Sequence, residues 1–253
     1  SLVFTTTSCD MDLTPDSAVP EHEALRTIDD CDAWVVGIYS AFKNSALYSG
    51  YMTLLPDIQA DMAYAALNTN NGFYTNIYQW DIKSTTDEII AVYNGLYTIV
   101  ARCNFFLDYK DQVEVNLKTT ADKDNFKKRL GEVYFARAMA YAELIRLFCE
   151  PMTSVNADTE NMGICLPTTY RDDVPKVKRS TLRESYNQII SDLKSAEDNL
   201  PDSRTVADSH YFSKGAVYAL RARIYMYMGM GDLKRDRNNE YLKKSVEAAT
   251  KVI

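Results

Sequence analysis

A chain of 253 residues can bury a substantial core, and a make-up that is 46% hydrophobic and 25% charged belongs to a globular protein rather than a disordered one. The formal net charge of −7, with no Lys/Arg cluster interleaved with aromatics, repels phosphate backbones and argues against nucleic acid as a partner. No internal run of about 18 apolar residues offers a membrane span.

Residues 1–9 read as a separate piece. Leu2, Val3 and Phe4 lead through Thr5, Thr6, Thr7 and Ser8 to Cys9, with no initiator Met. Small residues running into a Cys end a bacterial lipoprotein signal, so Cys9 is the expected lipid-attachment residue, and acyl chains on it would hold residues 10–253 at a membrane surface. With seven prolines, nine glycines and no Ser/Gly/Pro tract to act as a linker, those residues read as one domain. Cys31, Cys103, Cys149 and Cys165 are spaced too widely for a CxxC redox or zinc motif. Their even number permits disulfides in an exported protein, but Cys103 and Cys149 fall in apolar helical stretches, where a thiol serves as a small hydrophobe.

Helical periodicity runs through nearly everything after residue 29, with no sustained alternation of strand type, so the fold class is all-α. Two helices are expected first, around Asp32 to Asn44 and Tyr51 to Leu67. The segment Asn68 to Ser84 is loop-like: Asn68-Thr69-Asn70-Asn71-Gly72 is turn chemistry, followed by Phe73, Tyr74, Tyr78 and Trp80. Thr85-Thr86-Asp87-Glu88 caps a helix reaching about Tyr109, and another runs from about Asp124 to Phe148 with Ala136, Ala138, Ala140 and Ala142 thinning its side-chain layer; the two should form an antiparallel hairpin. From Thr181 to Leu200 an apolar stripe of Leu182, Tyr186, Ile189, Leu193 and Ala196 starts at a Thr181/Glu184 capping box and stops before Pro201. Ser213 to Gly229, the turn-rich stretch to Asn239 and a helix from near Glu240 make a further pair, with small residues and aromatics ordered as in a tetratricopeptide repeat. Its last helix reaches Ile253 with an apolar side unpartnered, as in a stack that continues.

Order and spacing then carry a resemblance to one family. Arg137-Ala138, Tyr141, Leu144 and Arg146 before Pro151, the loop entry Gly163-Ile164-Cys165-Leu166-Pro167, and Arg179, Thr181, Tyr186, Ile189-Ile190, Asp192-Leu193, Ala196 and Leu200-Pro201 are similar to successive motifs of the SusD/RagB-like proteins. Tyr97 to Asn104 and Ala219 to Tyr225 extend the match, while Phe148-Cys149-Glu150 departs from the usual Gly before the Pro. The resemblance implies a tetratricopeptide-like scaffold of stacked hairpins, and the N-terminal portion of a longer fold. It also implies a lipid-anchored outer-membrane protein facing the cell exterior, which binds oligosaccharides or polysaccharides for import through a SusC-like TonB-dependent transporter. Asp10 and Asp12 after Cys9 resemble the acidic stretch of surface-exported lipoproteins in the hosts of that family.

Sugars present apolar ring faces edged by hydroxyls, so a site for them needs aromatic platforms beside amides and carboxylates. Tyr74, Tyr78 and Trp80 with Asn68, Asn70 and Asn71 form the stretch that combines both on a loop, and Asp57, Asp61 and Tyr64 of the preceding helix complete the expected ligand-binding set. Asp57 and Asp61, four apart on one helix face at about 6 Å, invite a glycoside hydrolase reading, but catalytic carboxylates flank the scissile bond from opposite sides. The expectation is therefore a binding protein and not an enzyme. A tetratricopeptide scaffold that binds only protein is the alternative, and a helical hydrolase the more distant one. His22 and His210 lie far apart without metal-ligand spacing, and neither a phosphate loop nor any cofactor motif is present. Arg137 and Arg223, beside apolar stripes, each require a carboxylate or carbonyl partner, and Asn104 reads as a buried hydrogen-bonding residue.

Overall fold

The computed structural model describes residues 23–65, 72–170, 178–231 and 237–252. Within them the chain forms α1 (Ile28–Phe42), α2 (Tyr51–Gln59), α3 (Thr75–Tyr78), α4 (Asp87–Glu114), α5 (Thr120–Phe148), α6 (Leu182–Asn199), α7 (Lys214–Met230) and α8 (Asn239–Thr250). Extended pairing among the described residues is limited to one antiparallel bridge between Cys165 and Arg179. The fold is all-α, as the periodicity requires.

Reciprocal capping boxes start three helices: Thr27 with Asp30, Thr119 with Asp122 and Thr181 with Glu184. The last stands where the sequence places it. The first two start α1 and α5 one turn earlier than Asp32 and Asp124, because the cap lies ahead of the first apolar residue of the stripe. α2 differs more, ending at Gln59 rather than Leu67. Asp61 adopts a left-handed conformation (φ 57°), its amide donates to the Ile58 carbonyl at 3.3 Å, and the Met62 amide donates to the Asp57 carbonyl at 2.9 Å. That pair of bonds is a Schellman ending, usually signalled by glycine. Here an Asp supplies it, so the sequence carries no obvious stop.

α5 sits at the centre, packed against α1, α4, α6 and α7, while α8 pairs with α7. From Val133 to Ile145 nearly every α5 residue is buried, the four alanines included, which lets neighbouring helices approach from several sides. α4 and α5 form the expected antiparallel hairpin. α4 has the length and composition of a bilayer-crossing helix, but its middle carries buried Asn104 and it packs as a core helix on α1 and α5. At Gly229 a methyl group would lie 2.8 Å from Leu242, so α7 and α8 are in close contact there. On its far side α8 leaves Val246 66% exposed.

Two buried ionic clusters lock the bundle. Arg137 makes a two-pronged pair with Asp192 of α6 (2.8 and 2.7 Å) and donates to Asn104 Oδ1 at 2.8 Å. Asn104 and Tyr141 in turn donate to the Pro167 carbonyl, each at 2.6 Å, and Tyr97 donates to the Cys165 carbonyl at 3.0 Å. The motif residues of α4, α5 and α6 thus hold the 163–168 segment on the bundle. Arg137 and Asn104 are placed as expected, whereas Arg223 lies exposed on α7 and so does not need the buried partner that the sequence suggested. In the second cluster the fully buried Glu132 carboxylate meets Arg129 and Arg204, and Arg129 reaches Asp32 of α1 at 2.6 Å. Burial pushes the Glu132 carboxyl up despite both arginines. Cys31, Cys103, Cys149 and Cys165 are unbridged.

Candidate carbohydrate-binding surface

A small satellite core of Leu55, Ile58 and Ile77 joins α2 to α3, with Tyr51, Tyr74, Tyr78 and Ile82 packed around it. Buried Ile77 anchors α3, and Tyr74 and Tyr78 cover that anchor from either side. Tyr74, left-handed at φ 59°, begins α3 and lies half-buried with its ring edge-on to Tyr51, centroids 6.1 Å apart. Tyr78 is half-buried on the satellite core.

Trp80 leaves α3 by the same geometry that ends α2. Its φ is 57°, its amide donates to the Ile77 carbonyl at 3.2 Å, and the Asp81 amide donates to the Asn76 carbonyl at 2.9 Å, a second Schellman ending with a non-glycine residue in the left-handed position. The chain turns sharply there, and the indole is left 65% exposed. Beyond the end of α2, Tyr64 is 80% exposed. Large exposed rings that lie together are the usual mark of an interaction surface.

Of the expected contact residues, Asp57 lies in the last turn of α2, Asp61 and Tyr64 lie beyond its end, Tyr74 and Tyr78 pack on the satellite core that joins α2 to α3, and Trp80 follows the end of α3. Asn68, Asn70, Asn71 and Cys9 lie outside the described residues. The single-face pairing of Asp57 and Asp61 is corrected: Asp57 belongs to the last turn of α2, Asp61 lies past its end with reversed backbone sign, and the two exposed carboxylates do not share a helix face. Phe73, 67% exposed next to left-handed Gly72, belongs to the same surface and is absent from the expected set. The signal for it was its position directly after the turn. Loss of solvent and the neighbouring Tyr74 raise the Tyr51 phenol. No group of three His, Cys, Asp or Glu residues able to hold a metal ion occurs among the described residues.

The architecture is that of a tetratricopeptide-like scaffold of helix hairpins carrying an aromatic excursion at one end. The family model described as "Starch-binding associating with outer membrane" matches residues 11–226, and the chain belongs to this SusD-like family. It is 22% identical over 230 residues to SusD-like protein P2 of Formosa agariphila, covering 90% of this chain and 42% of that protein. Among solved structures, a SusD homolog from Bacteroides thetaiotaomicron superposes with a TM-score of 0.74 at 22% identity, over 92% of this chain and 41% of the other. A laminarin-binding SusD-like protein superposes with a TM-score of 0.65 at 18% identity, over 89% of this chain and 44% of the other. The chain therefore spans less than half the length of these relatives.

Proposed function

We propose that this chain contributes a carbohydrate-binding surface that captures oligosaccharides without cleaving them. In this reading the protein is held on the outer face of a Gram-negative outer membrane by acylation of Cys9, and passes its ligand to a SusC-like TonB-dependent transporter. What carries the reading is the presentation of Trp80, an apolar ring turned into solvent by a helix ending that costs backbone strain, with Asp57, Asp61 and Tyr64 exposed at and beyond the end of α2, the helix that shares a satellite core with α3. A flat ring with hydrogen-bonding groups at its edge suits the apolar face and peripheral hydroxyls of a sugar. The family description and the laminarin-binding relative are consistent with the same chemistry.

Non-catalytic action fits the carboxylates. Asp57 and Asp61 are both exposed and project from a helix end and the turn after it, where water reaches them freely. Isothermal titration of the chain against a panel of oligosaccharides tests the reading. Saturable heat with at least one glycan and no released reducing ends is the expected result, and silence across the panel, alongside tight association with another protein, would replace it by a protein-binding scaffold. Mass spectrometry of the exported protein, looking for acyl chains on Cys9, tests the anchor separately.

A further inference from the structure

Behind α2 lies a cleft of about 330 Å³ floored by Met52, Leu55, Ile82, Ile89, Val92 and Phe148. Pro56, Lys83 and Ser84, all exposed, form its mouth together with Gln59. A hydroxylated sugar ring suits this floor poorly, because its hydroxyls would lose water and find no partners there. The volume is ample for an aromatic ring and a short linker, since an apolar cavity of about 150 Å³ holds benzene.

The cleft adjoins the exposed aromatic surface. Lys83 follows Trp80 by three residues and Gln59 precedes Asp61 by two, so each side of the mouth lies within about 11 Å of backbone from a residue of that surface. Tyr51 belongs to both: it lines the cleft and packs edge-on against Tyr74. We infer that the cleft receives an aromatic acyl group, of the hydroxycinnamoyl ester class, carried by the oligosaccharide. The inference rests on the carbohydrate reading above and narrows its ligand to acylated glycans. The ring takes the apolar floor, and Lys83 and Gln59 at the mouth supply donors for the ester carbonyl.

The test has two arms. In the first, methyl ferulate alone is titrated into the isotope-labelled chain, with the methyl resonances of Met52, Leu55, Ile89 and Val92 followed by NMR. Saturable shifts at these residues, abolished in Ser84→Trp, which plugs the mouth from an exposed position, are expected, with the distant core residue Val133 unmoved. Absence of shifts at millimolar ester, or shifts that persist in Ser84→Trp, overturns the inference. In the second, any acylated oligosaccharide that binds is compared with its saponified form, and the ester should bind at least about tenfold tighter. Equal affinity overturns the acyl group's place in the cleft and leaves the carbohydrate reading standing, whereas binding of no glycan in either form removes both.

Discussion

Asp61 and Trp80 occupy the same position in two successive helix endings: each is the left-handed residue after the last turn, with matching three-back and five-back hydrogen bonds. A non-glycine residue there costs about 1 kcal/mol or more of backbone strain. The strain at Trp80 is explained if the side chain is needed where it stands.

That explanation separates stability from binding. Trp80→Gly removes the strain and a ring that is largely in water, so denaturant unfolding should show stability unchanged or higher by up to about 1 kcal/mol. Affinity for a glycan identified by titration should fall tenfold or more, about 1.4 kcal/mol. Trp80→Ala keeps the strained backbone and loses the same affinity. Unaltered affinity in both variants would remove Trp80 from the contact surface.

A different balance governs Arg137 and Asp192, both buried and bonded in a two-pronged pair. Burial works to lower the Arg137 pKa, but the bonds and charge of Asp192 outweigh it, so the guanidinium stays charged. Asp192→Ala strands that charge in the core and should cost about 3–5 kcal/mol in denaturant unfolding. The double variant Arg137→Met, Asp192→Leu should recover most of the loss, because a well-packed apolar pair needs no compensation; it also frees Asn104, which limits the recovery.

Cys31 gives a pH dependence. Burial, then the charges of Asp30 and Asp32, push its thiol from an ordinary 9.0 to about 12, and burial raises Cys103 as well. Above pH 9.0 the unfolded chain releases these protons and the folded chain does not, so stability is full below about pH 9 and falls as pH rises towards 12. Cys31→Ser and Cys103→Ala together should flatten the part of that decline that begins near pH 9, while burial of the Tyr39, Tyr48, Tyr97, Tyr141 and Tyr186 phenols, raised from 10.0, keeps stability falling at higher pH. In the native protein at pH 8, iodoacetamide should leave both thiols unmodified by mass spectrometry while half-buried Cys149 reacts slowly.

Helix identity and order were legible because long amphipathic stripes show their period, and in α6 the Thr181/Glu184 cap marks the start as well, whereas the Thr27/Asp30 and Thr119/Asp122 caps of α1 and α5 were not read. The buried arginine was legible from its place on an apolar face, although Asp192, 55 residues away, could be named only once the helices were packed. What escaped was local backbone geometry. Nothing in Gln59-Ala60-Asp61 marks a helix stop, since Asp takes the left-handed position far less often than Gly, and reading α2 onward to Leu67 put Asp57 and Asp61 on a face they do not share. The four-residue α3 also escaped: a single turn is too short to show periodicity, and it forms because Ile77 anchors it to the satellite core. The same limit separated the aromatics, since the half-burial of Tyr74 and Tyr78 and the exposure of Trp80 follow from that turn.

Gly163 offers a last prediction, on the segment between α5 and α6. A methyl group there would lie 2.2 Å from the Thr181 carbonyl oxygen and 2.3 Å from Ser185 Oγ, and the first of these is backbone at the capped start of α6. Ser185 cannot simply rotate away, because its hydroxyl accepts the Ile164 amide at 3.1 Å and donates to the Thr181 carbonyl at 2.9 Å. Gly163→Ala should therefore displace the 163–168 segment and cost about 1–3 kcal/mol or more. The displacement should reach α4 and α5, since the Pro167 carbonyl accepts from both Asn104 and Tyr141. Native-state hydrogen exchange should show faster exchange at Gly163 and Ser180, whose amides bond across this junction, while α7 and α8 keep their protection. Uniform acceleration throughout the chain, or no change at these two amides, would mean that the junction is not the tie between the α5 and α6 ends that the geometry describes.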